Sequence, residues 1–274
     1  SNIQKNSPTQ EKIDILIKHY QTGLYPKAEK LALSMIQDFP DHPFGWKVLG
    51  AIFKETGRAD EALEPFQKSL EITPQDPVAH SNVGVTLQAL GRLEEAETFL
   101  RRAIALKFDY ATAHNNLGIT LQALGRSEEA ELSLKQAISI QSDFIEAYVN
   151  LGNTLKDLDK LDESESYLNK AISLKPNYAE AHNNLGNTLK KKGNLEDAKA
   201  RYTQSILLKP DYVEAYNNLG VVLRELGKLD ESESHLRHVI ALKPNSAEAY
   251  NNLGNTLQEM NKLEEAINVY SNAT

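Results

Sequence analysis

The sequence predicts an all-α protein built as a solenoid of helix-turn-helix units, and three observations predict it. The dipeptide Leu-Gly returns every 34 residues, at Leu49-Gly50, Leu117-Gly118, Leu151-Gly152, Leu185-Gly186, Leu219-Gly220 and Leu253-Gly254, with Val83-Gly84 filling the remaining beat. A fixed period of this length marks one supersecondary unit stacked on copies of itself. Within each period apolar residues recur at helical spacing in two blocks, as in 179–189 and 195–202, separated by a turn signal such as Gly193-Asn194. Hydrophobic residues make up 41% of the 274, enough for a continuous core.

With the repeated glycine at position 8, full units span 43–76, 77–110, 111–144, 145–178, 179–212 and 213–246, and a truncated one spans 247–274. Residues 9–42 are a degenerate copy, in which Leu16 stands where Gly belongs and Ala32 where a large side chain belongs. A terminal unit has one face in water, so such drift is expected of a cap. Residues 1–8 are expected to be disordered or a tag remnant. Asp143, Asn177, Asp211 and Asn245 are expected N-caps, each completed three residues on by Glu146, Glu180, Glu214 or Glu248 in capping-box spacing. Gly57, Gly91, Gly125, Gly193 and Gly227 suit a left-handed turn between helices. Asp159 and Asn261 replace that glycine, while Phe108 and Ser142 replace the helix-stopping proline seen at Pro176, Pro210 and Pro244, so looser boundaries are expected there. Small residues at position 8 (the repeated glycines) and at position 20 (Ala62, Ala96, Ala130, Ser164, Ala198, Ser232 and Ala266) let paired helices approach closely.

These features resemble the tetratricopeptide repeat family. Its motif has a large residue at position 4, Leu-Gly at 7 and 8, a large residue at 11, Ala at 20, an aromatic at 24, Ala at 27 and Pro at 32. Trp46, Leu49, Gly50, Phe53, Ala62, Phe66 and Pro74 supply one nearly complete set. The resemblance implies a right-handed superhelix whose first helices line a concave, peptide-binding face. The string His-Asn-Asn-Leu-Gly-Asn-Thr-Leu at 182–189 is similar to arrays preceding the catalytic region of O-linked N-acetylglucosamine transferases and of bacterial glycosyltransferase or sulfotransferase fusions. The family's carboxylate clamp is not reproduced, since Lys47 is followed by Ala51 and position 2 is Glu in four units.

On the face that the resemblance makes concave, position 6 carries Asn82, Asn116, Asn150, Asn184, Asn218 and Asn252. Position 5 adds Asn115, Asn183, Asn217 and Asn251, and position 9 adds Asn153, Asn187 and Asn255. An asparagine offers donor and acceptor together, so a ladder of them suits the backbone of an extended peptide. The same residues also suit hydrogen bonds between neighbouring units. Lys156, Lys190, Lys191 and Arg224 face the same groove, either as ligand contacts or as a solvated charged face.

A net charge of −8 without any basic run argues against a nucleic-acid binder. The absence of cysteine permits a reducing compartment, here read as cytoplasmic, and no apolar stretch approaches the roughly 18 residues of a membrane span. No cofactor, metal site or catalytic constellation is expected. His80, His114 and His182 share position 4 with Trp46, Tyr148, Tyr216 and Tyr250, which points to packing, and His235 with His238 lacks a third ligand. The expected function is a non-catalytic interaction scaffold that captures a peptide or protein segment, in the service of a larger transferase. The alternative is self-assembly into homo-oligomers through the apolar face of the last helix (Leu263, Ala266, Ile267, Val269, Tyr270 and Ala273).

Overall fold

A computed structural model describes residues 7–272; residues 1–6 and Ala273 and Thr274 lie outside the described part. The chain divides between Gln141 and Ser142 into two compact units, at one of the two places where the repeat lacks its proline. The first unit contains α1 (Gln10–Gln21), α2 (Tyr25–Asp38), α3 (Pro43–Glu55), α4 (Ala59–Ile72), α5 (Pro77–Ala89), α6 (Leu93–Leu106), α7 (Ala111–Ala123) and α8 (Ser127–Ile140). The second contains α9 (Ile145–Asp157), α10 (Leu161–Leu174), α11 (Ala179–Lys191), α12 (Leu195–Leu208), α13 (Val213–Glu225), α14 (Leu229–Leu242), α15 (Ala247–Glu259) and α16 (Leu263–Tyr270). In each unit helices pack as sequential pairs, and each pair stacks on the next. Pro8 is buried and the Thr9 side chain accepts from the Lys12 amide to cap α1, while residues 1–6 of the expected N-terminal segment lie outside the described part.

The periodic glycine explains how closely the pairs approach. A Cβ on Gly118 would stand 2.5 Å from Leu134 Cγ, one on Gly152 2.5 Å from Leu168 Cγ, and one on Gly186 2.6 Å from the Tyr202 ring. The large residue at position 24 therefore occupies the space that a side chain at position 8 would need. In the degenerate first pair the sizes are exchanged. Leu16 comes from the first helix and Ala32 from the second, and both are fully buried in one apolar cluster. The swap keeps the pair closed by nearly conserving volume at the crossing.

Two boundary expectations are corrected. Asp159 (φ 61°) and Asn261 (φ 60°) adopt the same left-handed turn as Gly193 (φ 84°), and the turn bonds match: Lys160 N donates to Leu155 O at 2.9 Å as Asn194 N does to Leu189 O at 2.9 Å. Asp and Asn tolerate this region better than other residues, so the turn is strained rather than loosened. The predicted capping boxes do not form. A tight turn after the lysine, closed by Tyr178 N to Lys175 O (3.2 Å) and Tyr212 N to Lys209 O (3.1 Å), absorbs Asn177 and Asp211. The N-cap positions of α9, α11 and α13 consequently fall one residue later, on Phe144, Tyr178 and Tyr212, without a side-chain cap bond; α15 uses Ser246.

Position 4 has a shared task. Trp46 Nε1 (2.9 Å), Tyr148 OH (3.1 Å) and the Nε2 atoms of His80 (3.0 Å), His114 (3.0 Å) and His182 (2.9 Å) all reach the carbonyl six residues earlier, on Pro40, Ser142, Pro74, Phe108 and Pro176. A carbonyl only accepts, so each histidine carries its proton on Nε2. These histidines pin the entry of their helix.

Candidate functional site

The candidate groove is read within each unit, on the first helix of each pair. In the second unit these are α9, α11, α13 and α15. The helical phase puts Leu185, Gly186 and Leu189 into the core and leaves positions 2, 6, 9 and 12 half-buried or exposed on the opposite side. Asn150, Asn184, Asn218, Asn252, Asn153, Asn187 and Asn255 are all half-buried. In the first unit Asn82 and Asn116 share this state, and Asn115 is buried with its Nδ2 3.5 Å from Asn116 Oδ1.

The doubled asparagine has a structural partner. Asn183 is fully buried: its Nδ2 donates to Glu214 Oε1 one repeat on (2.9 Å), and its Oδ1 accepts from Asn218 Nδ2 (3.1 Å). Asn217 repeats the arrangement with Glu248 (2.8 Å) and Asn252 (3.0 Å). Positions 5, 2 and 6 thus form a staple at these two junctions, where Glu214 and Glu248 serve the neighbouring asparagine rather than their own helix start. Asn251, on the last pair, is exposed.

Position 9 is oriented from behind. Tyr202 OH donates to Asn187 Oδ1 (2.8 Å) and Tyr270 OH to Asn255 Oδ1 (2.7 Å), so a tyrosine at position 24 reaches through the pair to the groove floor. Asn187 Oδ1 also accepts from Asn218 Nδ2 (3.1 Å), which leaves the Asn187 amide donors pointed outward. Asn153 has Leu168 at position 24 instead. Neither Asn153 nor Asn184 makes a side-chain hydrogen bond among the described residues.

The cations at positions 12 and 13 have acidic neighbours. Arg224 pairs with Glu259 at 2.7 Å and Lys190 with Glu225 at 3.5 Å, each one repeat on; Lys191 lies 3.1 Å from Asp159 and donates to the Lys156 carbonyl at 2.9 Å. Lys156 lies 3.6 Å from Asp157. Two cavities open on this face. One of about 320 Å³ is lined by Lys156, Asn187, Lys190 and Lys191; the other, of about 720 Å³, includes Asn187, Lys209, Tyr212, Glu214, Asn218 and Lys243. The lysine and tyrosine of the second cavity were not read as site residues from sequence, although Lys-Pro-x-Tyr recurs at 175–178 and 209–212. Lys209 Nζ sits 4.7 Å from the Tyr212 ring centre and Lys175 Nζ 4.7 Å from that of Tyr178. Burial, reinforced by Glu214 and Glu180, pushes the Tyr212 hydroxyl above its ordinary value of 10.0, so it remains a neutral donor.

Along the second helices, ion pairs tie several repeats to the one before within the same unit. Arg58 meets Glu29 (2.9 Å), Arg126 meets Glu97 (2.7 Å), Lys192 meets Glu165 (2.7 Å) and Lys262 meets Glu233 (2.7 Å). The exposed pairs among them add little stability singly, whereas the Glu97 and Glu233 carboxylates are largely buried. No helix is long and apolar enough to cross a membrane, and no group of three or more His, Asp or Glu is placed to hold a metal, both among the described residues.

Sequence profiles described as tetratricopeptide repeat match residues 17–77, 75–143, 145–178, 177–245 and 211–274. No curated protein was found to match the sequence. Among solved structures, the chain is similar to one in the crystal structure of the APC/C hetero-tetramer Cut9-Hcn1, with a TM-score of 0.78 and 19% identity over 91% of this chain and 49% of that one. It is similar to the structure from the functional characterisation of Pseudomonas aeruginosa pilF (TM-score 0.64, 22% identity, 76% and 94% covered). YrrB, described as a TPR protein with an unusual peptide-binding site, also aligns (TM-score 0.51, 24% identity, 67% and 95% covered). These identities establish likeness of fold, and the chain spans about half the length of the first of the three. With all five matched segments and the helix pairs in register, the chain belongs to the tetratricopeptide repeat family.

Proposed function

We propose that the protein is a non-catalytic, cytoplasmic interaction scaffold whose second unit binds an extended peptide segment along the groove floored by α9, α11, α13 and α15. The observation that carries this reading is the half-buried group Asn153, Asn184 and Asn187: the first two make no side-chain hydrogen bond among the described residues, and the third uses its Oδ1 and not its Nδ2. A peptide backbone presents one donor and one acceptor per residue whatever its side chains, and an amide row answers both. Asn183 and Asn217 serve as staples, so the contact residues are at positions 6 and 9. By the resemblance of 182–189 to transferase arrays, the captured segment is a substrate delivered to a glycosyltransferase or sulfotransferase domain.

The test is binding of an immobilised library of unstructured peptides to the wild type and to Asn153→Ala/Asn184→Ala. Loss of most binding with unchanged helicity supports the reading; equal binding removes the asparagine row from the mechanism.

A second reading, end-to-end self-association, is favoured by α16, where Leu263 is 54% and Ile267 70% exposed. Sedimentation across a concentration series of wild type and Ile267→Asp separates it. A concentration-independent monomer in both sinks it.

A further inference from the structure

The groove is not uniform along its length. At the junctions α11/α13 and α13/α15 the position 6 asparagines are spent on the preceding repeat, Asn218 on Asn183 and Asn187, Asn252 on Asn217. At α9/α11 the corresponding place on α9 is Val149, which has no acceptor, and Asn184 makes no such bond. The same stretch gathers three ammonium groups around one cavity of about 320 Å³, those of Lys156, Lys190 and Lys191. Farther along, the cation is Arg224, held at 2.7 Å by Glu259, and α15 ends in Gln258 and Glu259 without any base. Unused amides and clustered cations therefore coincide at one place.

We propose that the α9/α11 section is the anchor of the groove and selects peptide segments bearing internal acidic side chains. Resting on the groove-binding reading above, the inference adds the chemistry of the ligand. Positions 9 and 12 on one helix are about 4.5 Å apart along its axis. A backbone bonded to Asn153, Asn184 and Asn187 thus lies within a glutamate side chain's reach of the lysine cluster. An extended chain points alternate side chains to opposite sides, so every second residue faces the lysines. Its other side chains face the position 2 rim, where Glu180, Glu214 and Glu248 lie; basic or neutral residues suit that side. The groove continues on α13 past this section, which favours an internal carboxylate over a chain end. The acids now beside the lysines do not block the site. Asp157, Asp159 and Glu225 are 45%, 76% and 36% exposed at distances of 3.1 to 3.6 Å, pairs that solvent screens and a ligand carboxylate can replace.

The experiment uses two synthetic peptides, identical in a glycine-serine background except that alternate positions carry Glu in one and Gln in the other. Fluorescence anisotropy is read with wild type, with Lys156→Gln/Lys190→Gln/Lys191→Gln, and with Lys170→Gln/Lys199→Gln/Lys228→Gln as a charge-matched change on or beside second helices. The Glu peptide should bind wild type at least tenfold more tightly than the Gln peptide, lose that advantage in the groove variant, keep most of it in the control and weaken with added salt. An equal affinity for both peptides, or a Glu preference surviving in the groove variant, overturns the anchor while leaving peptide capture intact. If neither peptide binds any form and the wider library is also silent, the groove-binding reading itself falls.

Discussion

Replacing Asn183 by alanine separates structure from ligand capture, because this side chain is fully buried between α11 and α13 and has two identified tasks. The substitution deletes the bond to Glu214, which is exposed and rehydrates, and the bond from Asn218, which retains Asn187 as acceptor. No buried polar group is stranded, so the loss is the net worth of two hydrogen bonds plus a small void, about 1 to 2 kcal/mol. In a repeat array the loss falls on one nearest-neighbour interface. Urea denaturation followed by circular dichroism should show a lower midpoint, and hydrogen exchange should quicken first in α11 and α13. Peptide affinity per folded molecule should stay within about twofold. An unchanged midpoint together with lost peptide binding would refute the staple and return Asn183 to the ligand surface.

Other outcomes follow from the same geometry. Gly118→Ala gains about 1 kcal/mol of helix propensity but drives a Cβ to 2.5 Å from Leu134 Cγ, a branch point with no free rotation away, so overpacking of about 1 to 3 kcal/mol should leave a net loss in chemical denaturation. Asn261→Gly relieves a left-handed residue (φ 60°) and should raise the denaturation midpoint by the equivalent of about 1 kcal/mol. Burial raises the carboxyl pKa of Glu97 and of Glu233, but bonds from Arg101 and Arg126, and from Lys262 and Arg237, outweigh it and hold both below 4.5. A lowered folded-state pKa contributes stability that is complete above the unfolded value and lost as pH falls through the folded one. Melting temperature should therefore decline below about pH 4.5, and less steeply in Glu97→Gln.

The 34-residue beat made the helix pairs legible, because a single glycine facing a large residue leaves a signature at fixed spacing in seven units. Even the degenerate first pair was legible as a departure, since Leu16 and Ala32 exchange sizes. The roles of the asparagines were not. Identical Asn-Asn dipeptides at 183–184, 217–218 and 251–252 have different fates, which depend on what the preceding repeat places at position 5. Val149 leaves Asn184 unused, whereas Asn183 consumes Asn218. Such a relation spans 35 residues and is invisible to local spacing. The capping boxes failed for a related reason: Asp211 and Glu214 have the right spacing, but the turn from Lys209 to Tyr212 takes the first and Asn183 takes the second.

The central claim, that the second unit holds a peptide on its asparagine floor, is tested most directly by site-specific photocrosslinking. A photoreactive residue at Asn184, on the groove floor, is compared with one at Leu207, exposed on the second helix of the same repeat. Irradiation with the acidic peptide should give crosslinks from position 184 that excess unlabelled peptide suppresses, and only background from 207. Crosslinks from 207 alone, or equal yields from both, would contradict the account.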